Sequence, residues 1–152
     1  KENEMRWVEC QIEIGTGPDR ILQAFTDETM LRHWWSVEKS MIELKAEGNY
    51  TLAWGISAEG IKYISTGQIT SYEPSRHLRI DNYLYISFDR PVLGPVTLDI
   101  SVARNDGYCL LSLQQGPYPE GRGDDWEWYY DAVKQAWPGV LQQLKKYLED
   151  GI

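Results

Sequence analysis

The stretch from Asp124 to about Leu148 constrains the fold more than any other part of the chain. Placed on a helical wheel at about 100° per residue, Trp126, Tyr129, Tyr130, Val133, Trp137, Val140, Leu141, Leu144 and Leu148 fall in one arc of about 120°. Trp128 falls on the opposite side. A helix with such a stripe is stable only when something covers it. Asp124 reads as its N-cap, with Glu127 three residues on completing a capping box. Asp124, Asp125 and Glu127 sit at the positive end of the helix dipole and Lys145 and Lys146 near the negative end. Pro138 lacks an N–H and leaves the Lys134 carbonyl without its partner, so a bend is expected near Trp137-Pro138-Gly139. The stripe is aromatic in its first half and aliphatic in its second.

The cover must come from the preceding residues, and their period is mostly two. Val8, Cys10, Ile12 and Ile14 alternate with Trp7, Glu9, Gln11 and Glu13, as in a half-buried strand. Thr16-Gly17-Pro18-Asp19 then starts a short helix, with Thr16 as cap and Pro18 in the first turn. Ile21, Leu22 and Phe25 are its apolar side. Thr26-Asp27 restarts a second short helix carrying Met30, Leu31 and Trp34 on one face. From about Glu38 turn signals recur at Gly48, Gly55/Gly60, Pro74, Pro91/Gly94/Pro95 and Asn105-Asp106-Gly107. Between them lie the strand faces Tyr50/Leu52/Trp54, Tyr63/Ser65/Gly67/Ile69, Leu78/Ile80/Asn82/Leu84, Val96/Leu98/Ile100/Val102 and Cys109/Leu111/Leu113. Asp-Gly tolerates the positive φ of a tight hairpin. Short turns between evenly spaced strands make an antiparallel meander. The Gly/Pro-rich run Gly116–Gly123 has no period and reads as a loop.

Charge and composition narrow the function classes. With 15 Lys and Arg against 23 Asp and Glu, the net charge is −8 and no basic run exists, which argues against nucleic acid and against a polybasic membrane contact. No apolar stretch approaches the roughly 18 residues of a membrane span. The run Lys1 to Arg6 is charged and lacks the apolar core of a signal peptide. Cys10 and Cys109 stand far apart and match no metal spacing, so they read as buried free thiols of a reducing cytoplasm. Seven Trp and ten Tyr against two Phe favour a half-wet cavity or interface, because Tyr and Trp carry polar handles. The 152 residues are expected to form one domain, 1–152, working as a monomer or weak dimer.

The order is strand, two short helices, six antiparallel strands, long helix: an α+β chain. A meander that curls around a terminal helix without closing on it leaves a space between them. This layout resembles the helix-grip fold of START-like and Bet v1-like (SRPBCC) proteins. Thr26-Asp27 leading to Trp34-Trp35, Gly48-Asn49-Tyr50, Gly67-Gln68-Ile69 running to Glu73-Pro74, and Trp137 followed by Val140-Leu141 and Leu144 resemble, in that order, the signatures of the activator of Hsp90 ATPase homologue (AHSA1-like) family. Ala136 stands where that family usually has Gly, and Asn82 where relatives often carry an aromatic residue.

By parity Tyr50, Trp54 and Tyr63 point inward from the strands, with Ser65 and Asn82 as polar anchors. Trp34, Trp126, Tyr129, Tyr130, Val133 and Trp137 approach from the helices. Together they are expected to line a cavity for a small hydrophobic or aromatic ligand, since such sites are mostly apolar with a few polar groups. Arg79 and Asp81 face solvent, and Tyr83 and Tyr85 share that side unless a bulge intervenes. No catalytic residue, metal or cofactor is expected: His33 lies off its helix stripe, His77 opens a strand after a turn, and no nucleophile has a visible partner. The resemblance implies two further readings, a chaperone-interaction module and a cyclase or aromatase.

Overall fold

The computed structural model describes residues 4–151; Lys1–Asn3, the start of the charged N-terminal run, lie outside them. Seven strands form one antiparallel sheet. They are β1 (Met5–Ile14), β2 (Lys39–Ile42), β3 (Gly48–Ser57), β4 (Gly60–Glu73), β5 (His77–Ser87), β6 (Leu93–Asn105) and β7 (Tyr108–Pro119). Their order across the sheet is β1-β7-β6-β5-β4-β3-β2, so each pairs with its sequence neighbour except β1, which returns to β7. Helices α1 (Pro18–Ala24) and α2 (Glu28–Trp35) bridge β1 to β2, and α3 (Asp124–Asp150) closes the chain. This is the helix-grip architecture expected from the alternation and the turn signals.

The stripe of α3 meets β1, β6, β7 and α2. Leu141 and Leu144 are fully buried, and Tyr129, Trp137 and Leu148 nearly so. Trp126, Tyr130, Val133 and Val140 are half-buried against the same core. The helix runs unbroken through Pro138 and ends on Gly151, whose left-handed φ of 74° lets its N–H return to the Tyr147 carbonyl.

Two expected caps are corrected. The residue before α3 is Gly123 and makes no side-chain cap, while Asp124 is the first helical residue. Glu127 does not reach back, because Arg6 on β1 takes both its oxygens at 3.1 and 2.8 Å. A bidentate charged pair outcompetes a single bond to a backbone N–H. The residue before α1 is likewise Gly17 rather than Thr16, again with no side-chain cap. Asp27 does cap α2, accepting from the Met30 N–H at 2.9 Å. Cys10 and Cys109 are both free, the first half-buried and the second buried.

One local feature reorganises the inner face. The register of β5 shifts against β4 between Thr66 and Gln68 and against β6 between Ile80 and Tyr83. Asn82 sits there at φ 53°, in the left-handed region that Asn tolerates better than most residues. Its side chain faces outward, donating to Gln68 Oε1 at 3.0 Å. Beside it a Cβ on Gly67 would come within 2.8 Å of the Asp81 carbonyl oxygen, so only glycine admits the bulged strand this closely. One extra residue inverts the alternation: Leu78 and Ile80 point inward before the bulge, and Tyr83 is buried after it.

Candidate functional site

Between α3 and the sheet lies a cavity of about 350 Å³. Tyr63 and Ser65 come to it from β4, Tyr83 and Tyr85 from β5, Gln115 from β7 and Trp35 from α2. Helix α3 supplies Trp128, Tyr129, Ala132, Val133, Ala136, Trp137 and Val140, a run at helical spacing along one side. The walls are stacked rings. Tyr85 lies 5.6 Å from Tyr129 and 6.3 Å from Tyr63, both near parallel, while Trp35 tilts onto Trp137 at 5.3 Å. Among the described residues that line it there is no carboxylate, amine, guanidinium or imidazole. A larger groove of about 500 Å³ crosses the outer sheet face past Glu9, Gln11, Asp99 and Gln114, but it has no aromatic wall.

The polar groups of the inner cavity are neutral, and those deepest in it are buried. Gln115, only 4% exposed, accepts the Trp137 indole N–H on Oε1 at 2.8 Å. Tyr83 and Tyr129 are also 4% exposed. Burial pushes the Tyr83 phenol up to about 12, with Ser65 partly opposing the rise by donating toward its oxygen. Burial raises Tyr129 as well, and Gln115 opposes it in the same way. Tyr85 is raised by its partial burial. Every phenol with a displaced pKa in the lining therefore keeps its proton at neutral pH. Behind Tyr129, with ring centroids 5.1 Å apart, the Tyr118 hydroxyl is buried with no hydrogen-bond partner.

The mouth is framed by Tyr63, Trp128 and Arg90. The Arg90 guanidinium stacks 3.7 Å above the Trp128 ring and bonds Asp125 at 2.9 Å. Trp128 thus lies off the buried stripe, as the wheel places it, and still contributes to the cavity rim.

Of the residues expected to line a cavity, Tyr63, Ser65, Tyr129, Val133 and Trp137 come together here. The others lie elsewhere. Trp34, Trp54 and Tyr50 spend their polar handles on backbone carbonyls, of Ala24 at 2.8 Å, Trp35 at 3.0 Å and Phe25 at 2.6 Å. Trp34 ties α2 to α1, while Tyr50 and Trp54 tie the two helical segments to β3. Trp126 packs on Tyr118, and Tyr130 lies beneath the Arg6 guanidinium at 4.1 Å. Asn82 faces outward for the reason given above. Tyr83 and Tyr85, expected on the solvent face, are inside because the bulge does intervene. Gln115 continues the Cys109/Leu111/Leu113 alternation, so parity alone could have found it. His33 is exposed and stacks on Tyr147, away from the cavity. His77 bonds Ser71 and Asp99 at 2.8 and 2.9 Å, outside this lining.

Comparison with known families decides the kinship. Residues 16–149 match the model of the Activator of Hsp90 ATPase homolog 1-like protein family. The chain belongs to that family. No curated protein matches it in sequence. Among solved structures, DynU16 of the dynemicin biosynthetic locus superposes with a TM-score of 0.73 at 16% identity; the match covers 95% of this chain and 48% of that one, so the chain spans about half its length. The Aha1 dimer from Colwellia psychrerythraea gives 0.70 at 16% identity, covering 97% and 98%. CalU16 from Micromonospora echinospora gives 0.65 at 16%, covering 99% and 88%. At such identity these likenesses establish a shared fold, and the family's helix-grip frame is the one found here. No helix among the described residues is long and apolar enough to cross a membrane.

Proposed function

We propose that this protein binds a small, flat aromatic molecule between its sheet and α3, and performs no chemistry on it. The observation that carries this reading is the ring-walled cavity of about 350 Å³, within the range of roughly 300–1,000 Å³ typical of ligand sites. Stacked tyrosines and tryptophans offer face and edge contacts to a planar guest. A cyclase-type reaction needs a group that exchanges a proton near neutral pH. The buried phenols are displaced away from that range, and His33 stands outside the lining. With two free thiols and an acidic surface, the setting we infer is the cytoplasm, without nucleic acid or membrane as partner, as a monomer or weak dimer.

A thermal-shift panel of aromatic and lipid metabolites tests the reading. A ligand present at a hundred times its Kd adds about 2.7 kcal/mol to stability. Flat aromatic compounds should raise Tm, and native mass spectrometry should show one bound molecule. A panel in which no aromatic compound raises Tm sinks the proposal. The family description favours a second reading, docking onto a chaperone of the Hsp90 type. An excess of this protein that leaves the ATPase rate of its host's Hsp90 homologue unchanged removes that one.

A further inference from the structure

The two ends of the sheet differ in what they expose. At one end the β4–β5 and β6–β7 turns, Pro74-Ser75-Arg76 and Asp106-Gly107, carry no large apolar side chain. At the other end lie the β3–β4 turn and the β5–β6 loop, where Ile56, Ile61, Tyr63, Phe88 and Val92 are exposed, Phe88 by 79%. With Trp128 of α3 they make six of the ten large apolar side chains left exposed among the described residues. Register makes them neighbours. Ile56 pairs with Ile61, Tyr63 pairs with Ser87 beside Phe88, and Val92 adjoins Leu93, the partner of Tyr85. Tyr85 stacks on Tyr63 and tilts onto Trp128 at 6.0 Å, which joins the strands to the helix. Scattered apolar residues on a surface need no explanation, whereas a contiguous group of them marks a place of contact.

Two features select what can lie there. The Gly55 and Ile56 N–H groups on the edge of β3 are already held by the Glu38 carboxylate, at 2.8 and 3.0 Å. Strand addition is thereby blocked at the patch, which leaves the apolar face of a helix as the mode of recognition. The second feature is charge. Glu38 and Glu59 stand on the β3–β4 side and Asp89 in the β5–β6 loop. Asp124, Asp125 and Asp131 lie three or four residues from Trp128 along α3, the spacing of helix neighbours. Of the cations, Arg90 is taken by Asp125 and Trp128, Lys39 and Lys62 fall by register on the outer face, and Arg122 stands in the loop before α3. We propose that this patch is a docking surface for a cationic amphipathic helix of another protein. The helix lays its apolar side over Ile56, Ile61, Phe88 and Val92, and its Lys and Arg meet the surrounding acids. A second copy of this chain would bring the same acids face to face, and an anionic bilayer would be repelled in the same way. The inference does not depend on what the cavity holds.

The probes are an amphipathic helical peptide of Leu and Lys, its Leu/Glu counterpart with the same apolar face, and an oligolysine of equal charge. Titration calorimetry on the full chain should give the Leu/Lys peptide a Kd on the order of 1–10 μM, with both controls weaker by about tenfold or more. Added salt should weaken the Leu/Lys peptide severalfold. The double variant Phe88→Ser, Val92→Ser changes two exposed loop residues and should weaken it about tenfold through lost apolar contact. In the wild type, the methyl resonances of Ile56, Ile61 and Val92 should shift on titration, a reading that needs no variant. Equal affinity for the Leu/Lys peptide and either control, or methyl shifts confined to other surfaces, overturns the proposal. Dimerisation in sedimentation that the double variant abolishes also overturns it and assigns the patch to a second copy. Binding to phosphatidylcholine vesicles that the same variant abolishes assigns it to a lipid surface and overturns it equally.

Discussion

Asp81 shows how much one outward residue holds at the bulge. Its carboxylate accepts from Thr70 and Thr97 at 2.6 Å each and from Arg79 at 3.0 Å. Burial alone would raise its pKa, but Arg79 and the two hydroxyls overcome this and hold it at about 2, below the usual 3.8. A depressed folded-state pKa stabilises the fold above the unfolded value, and that contribution is lost as pH falls from 3.8 toward about 2. Asp81→Asn should therefore lower the urea midpoint at neutral pH and flatten the acid limb within that window. An unchanged acid limb would show that the network contributes nothing there. Across the same bulge, on β4, Gly67→Ala forces a Cβ to within 2.8 Å of both the Asp81 carbonyl and Ile80 Cγ2. Overpacking against backbone should cost about 1–3 kcal/mol in chemical denaturation. The inward Tyr83 and Tyr85 were illegible from sequence for this reason: a period-two count fails after one inserted residue, and nothing in Asp81-Asn82-Tyr83 marks the insertion except an Asn able to take positive φ. Gln115, by contrast, lay on an uninterrupted alternation.

At the scale of elements, α3 was the most readable part of the chain because periodicity, end charges and the stripe agree. Its buried residues are those of the wheel. What the wheel could not supply was which sheet residues stand opposite, and so which part of the stripe packs solidly and which part borders empty space. The aliphatic end, Leu141 to Leu148, is buried core, while the cavity borders Trp128 to Val140 rather than Trp126 to Trp137. The α3 capping box was misread because a tertiary partner claimed its side chain, Arg6 taking Glu127. Pro138 and Gly139 lie exposed inside the unbroken helix, and a Cβ on Gly139 would meet nothing within 4 Å. Gly139→Ala should thus stabilise by about 0.5–1 kcal/mol through helix propensity alone. Pro138→Ala should add about 1–3 kcal/mol by restoring a donor to the Lys134 carbonyl. Urea melts of both variants check this. If Pro138→Ala is neutral or destabilising, the proline shapes α3 to the sheet, and the missing hydrogen bond is the accepted cost of that fit.

For the whole molecule, stability and binding compete for the same volume. A chain of this length buries enough surface to hold a core without metal or disulfide, and Cys10 and Cys109 are indeed unbridged. It nonetheless keeps a cavity of about 350 Å³ between α3 and the sheet. Residues lining it forgo some of the dispersion contacts that close packing would supply, a loss of stability consistent with the binding role proposed above. Small residues contribute to it: Ala132 and Ala136 line it from α3. Ala132→Phe should therefore fill the space, raising stability by about 0.5–2 kcal/mol, at roughly 2–4 °C of Tm per kcal/mol for a domain of this size. The same variant should lose the Tm response to flat aromatic compounds. A higher Tm with binding abolished would show that the empty volume is maintained at the expense of stability for a guest. A lower Tm with binding retained would show that position 132 faces packed protein, and the cavity would then lose its claim to be the site.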